Sequence, residues 1–338
     1  MKQSVSIATE SYTPSATDER QDDTRAFQLL AARGQWQIEL GRLRRHRLAM
    51  IGLSIILIIA LAAVLSPWLA PYPYAEQHLD FIRTAPNAQF LLGTDSLGRD
   101  ILSRLLYGAR IALLVGLLVV VIEVAVGVPL GMAAGYFPGR VDVAIGTLTD
   151  IVWAFPPLIL ALGVVAALGA NLFNAVIAIA LVSWVPFARV TRAKVLSLRQ
   201  REFVQASVSI GSTHLHILRR HILPNLMNTV VVLVTLTLPG ALLAAAALSF
   251  LGFGVQPPTA EWGAMLNEGR PYLQEAPWIA TFPGLAILLT VVGFNLLGDG
   301  VRDVLDPRQK GYSFSDKYFS RRNIKIQTKR RKGEKLKE

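Results

Sequence analysis

Three of the chain's five histidines, His214, His216 and His221, fall in one short segment. Three imidazoles can hold a transition metal, but this spacing argues against it. On a helix, positions two apart point in roughly opposite directions, and Arg219 and Arg220 beside them would repel a cation. No metal site is expected. The parts of an enzyme are missing as well. There is no cysteine, hence no disulfide, thiolate nucleophile or sulfur-ligated metal. No Gly-x-x-x-x-Gly-Lys-Ser/Thr loop is present to cradle phosphates, and neither Gly-x-Ser-x-Gly nor His-Glu-x-x-His occurs. Any chemical energy must come from another protein. Two acids, Glu123 and Asp150, stand inside apolar runs, where ionisable residues face a protein interior or a water-filled path. A proton relay is one reading of such residues. Asp150, near the end of its run, better suits helix packing or snorkelling.

The histidines belong to a polar, basic stretch, Arg199 to Asn225, wedged between two long apolar runs. Glu202 to Ile210 suits a short helix with small residues at Ala206, Ser207 and Ser209. Gly211 suits the left-handed conformation that ends it. Ser212 then caps a second helix running to Leu223, where Pro224 stops continuation. Two short helices at an angle would let a partner's backbone come close. An amphipathic connector lying on a membrane surface fits these residues equally well.

The elements that must position this stretch are membrane helices. Apolar residues make up 52% of the chain and charged residues 17%, the mean hydropathy is +0.43, and the charges cluster at the ends and in a few loops. Six runs reach or approach the roughly 20 residues that cross a bilayer core. They are Leu48 to Leu69, Ile111 to Gly135, Val143 to Gly169, Leu172 to Phe187, Leu226 to Phe253 and Trp278 to Leu297. Backbone groups in lipid must bond within their own segment, so these runs are helices. Pro156-Pro157 and Pro239-Gly240 would kink them.

Lys and Arg set the orientation. Arg42, Arg44, Arg45 and Arg47 precede the first run, seven cations lie between Arg189 and Arg220, and Lys329 to Lys332 sit in the tail. With six spans all three clusters fall on one side, so both termini are expected in the cytoplasm and the protein in the cell membrane. The loops at residues 71–110 and 254–277 would face outward. Residues 1–40 read as a polar, disordered terminus without a signal peptide, 41–70 as a basic flank and first span, and 71–104 as an external loop. Residues 105–305 form the remaining five-helix core, and 306–338 a solvated basic tail able to touch anionic lipid. The net charge of +11 comes largely from tails and loops, so nucleic acid is not an expected partner.

The connector resembles the coupling motif of the membrane subunits of binding-protein-dependent ATP-binding-cassette (ABC) importers. That motif reads Glu-Ala-Ala, three residues, Gly, nine residues, Ile-x-Leu-Pro. Here Gln205, Ala206 and Ser207 take the first places, Gly211 falls at the required spacing, and Leu223-Pro224 close it. Gln205, Ser207 and His221 depart from the pattern without altering its spacing. The run Gly93-Thr94-Asp95-Ser96-Leu97-Gly98-Arg99-Asp100, with Ala134 to Asp142, Leu248 to Pro258 and Gly293 to Gly300, resembles the second, C-type permease subunit of dipeptide and oligopeptide importers. Gly135, Pro138 and Gly139 suit a tight hairpin.

The resemblance implies an all-α, six-span, type I ABC importer permease fold, with span one outside a core of spans two to six. It implies a heterodimer with a homologous permease, and two cytoplasmic ATPase subunits that carry ATP and magnesium and receive the helices of residues 200–223. It also implies an external solute-binding protein. Glu202, Gln205, Ala206, Ser207, Gly211, Leu223 and Pro224 would form the docking set. Gly93, Thr94, Asp95, Gly98, Arg99 and Asp100 would build a structural polar turn in which the Arg pairs with an Asp. The implied cargo is a short peptide, with nickel chelates, glutathione and oligosaccharides as alternatives. A self-sufficient secondary transporter is the rival class, but the inverted repeat it calls for is not evident.

Overall fold

A computed structural model of the chain describes residues 40–305. The expectations of a disordered N-terminus and a basic tail fall almost wholly outside these residues. Contacts divide the chain into two units, 1–45 and 46–338. Among the described residues the first unit contributes a short helical turn at 40–43.

In the second unit the described regular structure is helical, broken by one antiparallel bridge between Thr94 and Asp100. Helix α1 (Arg47–Val64) is followed by the short α2 (Ser66–Leu69) and a long irregular segment. Then comes α3 (Ile101–Tyr136), 36 residues or about 54 Å at 1.5 Å per residue. It begins ten residues before the expected apolar run, because Asp100 caps it and the charge of Arg104 is neutralised by tertiary partners. Next are α4 (Arg140–Trp153) and α5 (Pro157–Leu168), which meet at 88°. The expected kink at Pro156-Pro157 is thus a full break, since Pro156 and Pro157 both lack the amide that would carry the helix onward.

Helix α6 (Leu172–Ser183) continues through Trp184 into α7 (Val185–Arg199), and together they form a 28-residue span. The connector holds α8 (Glu202–Ser209) and α9 (His214–Ile217). Beyond it lie α10 (Leu223–Phe250), α11 (Trp262–Gly269) and α12 (Trp278–Leu305). Among the described residues five helices are long and apolar enough to cross a membrane, and the bent α4–α5 pair makes a sixth span if counted as one.

Glycines set the closest packing. Gly127, Gly131 and Gly135 form one stripe of α3 against α7. A Cβ on Gly127 would lie 2.6 Å from Phe187 Cβ, one on Gly131 2.7 Å from Thr191 Cβ, and one on Gly135 2.7 Å from Val195 Cβ. In apolar surroundings, where burial from water gives helices no reason to associate, such backbone approach supplies the dispersion contact that holds them. Helix α1 packs on α12 in the same way, through Gly52 against the Gly293 and Leu297 backbone. The main core fills the space between α3, α6, α7 and α10 with Val119, Ala178, Ile179, Phe187 and Leu226, among others.

Candidate functional site

The connector is built by local capping. Gln205 Nε2 donates to the Arg199 carbonyl at 2.8 Å and so finishes α7. Helix α8 ends at Ile210, and Gly211 turns the chain with φ +78°. No atom lies within 4 Å of where a Cβ would stand on Gly211. The next cap is Thr213, whose hydroxyl accepts from the His216 amide at 3.3 Å, and not Ser212 as expected.

Nor does Pro224 stop a helix at Leu223. Helix α9 runs through a π turn, Leu218–Ile222, straight into α10, giving one 37-residue apolar helix from His214 to Phe250. A proline in a helix lacks an amide and crowds the carbonyl four residues back. The wider π turn relieves that crowding just before Pro224, and Asn225 Nδ2 donates to the His221 carbonyl at 2.6 Å.

The elbow has two faces. Val204, Ser207, Ile217 and Ile222 are buried, the three apolar ones in the core that also holds Val195, Leu198 and Leu226. Glu202, Gln205, Ala206, Gly211 and Pro224 are exposed, and Leu223 is half-buried. Ser207, at 5% exposure, therefore faces the bundle and not the free surface. At the tip Ile210 is 83% exposed, and Phe203, Val208 and Leu215 are exposed nearby. Arg201, Arg219 and Arg220 are exposed on the same connector.

The histidines do not converge. The His214 Nδ1 lies 3.0 Å from the Tyr136 hydroxyl at the end of α3, and its ring meets Tyr136 and Phe137 edge to face at 5.5 and 5.6 Å. His216 and His221 meet edge to face at 5.8 Å.

At the other end of α3 the segment 93–100 forms a buried polar knot. Asp95 accepts from the Leu97 and Arg99 amides at 2.8 and 3.0 Å and pairs with Arg99 Nε at 2.7 Å. Asp100 caps α3 by accepting from the amide and hydroxyl of Ser103 at 2.8 and 2.6 Å. Thr94 accepts from the Thr84 amide at 2.9 Å, and its own carbonyl accepts from the Trp278 indole at 3.2 Å. Gly93 and Gly98 take φ of +79° and +73°, and a Cβ on Gly98 would meet the His78 backbone.

Two members of the knot were missed in the sequence. Arg104 pairs with Asp95 and, at 2.6 Å, with Glu268 of α11, which also takes Arg99 Nη2 at 2.7 Å. A cation just inside an apolar helix was the signal for Arg104. Glu268 had none.

Comparison with known proteins decides the family. Residues 127–311 match the binding-protein-dependent transport system inner membrane component family, and residues 34–86 match the N-terminal membrane domain of oligopeptide transport permease C. The di/tripeptide transport system permease protein DppC of Pseudomonas aeruginosa is 49% identical over 268 residues, 78% of this chain and 88% of that one. This chain belongs to the binding-protein-dependent transport permeases.

Two further relatives are similar permeases. The glutathione transport system permease protein GsiD of Escherichia coli O157:H7 is 46% identical, over 82% of this chain and 92% of that one. The dipeptide transport system permease protein DppC of Alkalihalophilus pseudofirmus is 44% identical, over 81% and 90%. A solved inward-facing structure of the MetNI methionine ABC transporter aligns with TM-score 0.48 and 20% identity, over 59% of this chain and 95% of that one. That likeness is too loose to define the fold further. By its family the permease is a multi-pass, non-catalytic membrane component of an ABC importer, and it is all-α over its described residues.

Two ion pairs complete the permease's framework. Arg192 reaches Asp142 with two bonds of 2.5 and 2.7 Å. Arg189 pairs with Asp150 at 2.7 Å and lies 4.4 Å over the Trp153 ring. Both pairs join α4 to α7, the one at Asp150 with its carboxylate 74% exposed. Glu123 is 2% exposed within α3, with one carboxyl oxygen lacking a hydrogen-bond partner.

Proposed function

We propose that this permease forms one half of the translocation pathway of an ABC importer for short peptides, and that its connector, residues 200–223, docks the ATPase subunits. The observation that carries the docking is Ile210. An apolar side chain held 83% exposed at the tip of a basic elbow gains about 1.5 to 3 kcal/mol when a partner buries it. Gly211 leaves open space beside it. The exposed Arg201, Arg219 and Arg220 call for an acidic rim around an apolar cleft, the arrangement by which charge sets orientation and an apolar anchor sets affinity.

Two such ATPase subunits would carry ATP and its magnesium, and this chain no cofactor. Their closure on nucleotide swings the elbow, a rigid-body transition of the kind that turns a cavity from one side to the other. A homologous permease completes the pathway. A solute-binding protein delivers cargo to the face bearing residues 93–100 and α11. The Lys and Arg distribution supports the connector and both termini in the cytoplasm. The relatives named for dipeptides, di/tripeptides and glutathione support one cargo chemistry, a short peptide.

The test uses the complete assembly in liposomes. Because the chain has no cysteine, Ile210→Cys places a single thiol at the elbow tip. It is expected to crosslink to an ATPase subunit, and labelled dipeptide or glutathione is expected to enter only with ATP and the binding protein. Crosslinking to lipid alone, with no peptide uptake, would return the connector to a membrane-surface role.

A further inference from the structure

We propose that the hydrogen bond between Tyr136 and His214 is the joint through which movement of the connector enters α3, which makes the two residues positioning residues for transport. The inference rests on the docking reading above and adds to it the route by which the motion leaves the connector.

Besides its continuity with α7 and α10, the connector meets the bundle in two chemically different ways. Val204, Ile217 and Ile222 are buried by apolar contact, which has no direction and permits sliding. The Tyr136 hydroxyl and His214 Nδ1, 3.0 Å apart, make the one hydrogen bond between connector and α3 among the described residues. Such a bond weakens steeply as its angle or length departs from the optimum. A shift of the elbow therefore either carries Tyr136 with it or breaks the bond.

What Tyr136 receives, α3 can deliver. Tyr136 is itself buried, in the last turn of α3. Along the same half of that helix Gly127, Gly131 and Gly135 lock it to α7 by backbone contact, and close-packed helices transmit displacement instead of absorbing it. About 48 Å away, at the rise of 1.5 Å per residue, Arg104 in the first turn of α3 is tied to Glu268 of α11 and to Asp95 of the knot. One continuous helix, with Pro129 inside it, thus has a polar joint at each end. The first faces the docking elbow, and the second faces the segment proposed to meet the binding protein.

The test is Tyr136→Phe in the assembled complex with ATPases, partner permease and binding protein, reconstituted in liposomes. Phenylalanine keeps the edge-to-face ring packing and removes only the hydroxyl. Assembly and basal ATP hydrolysis are expected to stay as in the unaltered complex. Labelled dipeptide taken up per ATP hydrolysed is expected to fall about five-fold, the scale of one hydrogen bond.

His214→Ala is expected to lower that ratio equally, and the double variant no further. His214→Asn, which keeps an amide within reach of the tyrosine hydroxyl, is expected to recover it. An unchanged ratio in Tyr136→Phe, multiplying losses in the double variant, or a loss that only tracks the amount of assembled complex would each overturn the joint. Retained Ile210→Cys crosslinking with an unchanged ratio would remove the joint alone, whereas lost crosslinking in the parent complex would remove the docking reading beneath it.

Discussion

Glu268 and Arg104, 164 residues apart in the chain, lie 2.6 Å from each other in the buried knot at the start of α3. Their pairing with Asp95 and Arg99 gives two buried guanidiniums two carboxylates. Taking such charges out of water is costly, so the knot holds only while every member is present.

Glu268→Ala is therefore expected to destabilise the folded permease by about 3 to 5 kcal/mol, the usual cost of leaving a buried charge without its partner. Arg99→Ala should likewise lower folded yield, without changing the binding-protein affinity of what does fold. Size-exclusion yield and thermal melting in detergent measure the first effect, and titration with the binding protein the second. Normal yield with collapsed affinity would make the knot a contact surface.

Gly131→Ala tests the helix stripe. Its new methyl would stand 2.7 Å from Thr191 Cβ and 3.0 Å from Ala188 Cα, and such overpacking costs about 1 to 3 kcal/mol. Gly146, in α4, has nothing within 4 Å. Gly146→Ala is expected to be neutral or to stabilise by up to about 1 kcal/mol through helix propensity. Equal melting temperatures for the two variants would mean that α3 and α7 are not held by close approach.

Gly211→Val is expected to leave membrane insertion intact and abolish uptake. A side chain in the left-handed conformation costs about 1 to 2 kcal/mol, and here it would also fill the space left for a partner. Subunit retention and cargo-stimulated hydrolysis on the purified complex are the measurements. Normal values of both, with normal uptake, would remove the coupling role from the connector.

Orientation is open to reporter fusions. A reporter after Arg220 is expected to read cytoplasmic and one near Glu261 external, following the Lys and Arg asymmetry. Reversed signals would invert the assignment of docking face and delivery face.

Much of this permease was legible in its sequence, because the decisive features are local. Apolar length marks the spans, since a bilayer demands about 20 residues of them. The spacing from Gln205 to Pro224 marks the connector, and the pair Asp95 and Arg99 is four residues apart. What the sequence left open depends on which helices meet. The stripe Gly127, Gly131 and Gly135 is visible as a repeat, but only its seat against Phe187, Thr191 and Val195 makes it an interface.

Ser207 and Gln205 sit two apart on α8, and only the bundle beneath turns the first inward and leaves the second exposed. The continuation through Pro224 is hidden from the sequence for a related reason, because a π turn accommodates a proline that a regular helix would not. Neighbours along the chain choose helices, caps and turns. Pairings such as Arg104 with Glu268 and Tyr136 with His214 exist only once α3 has packed, because a charge or hydroxyl has no preferred partner until burial removes water as the alternative.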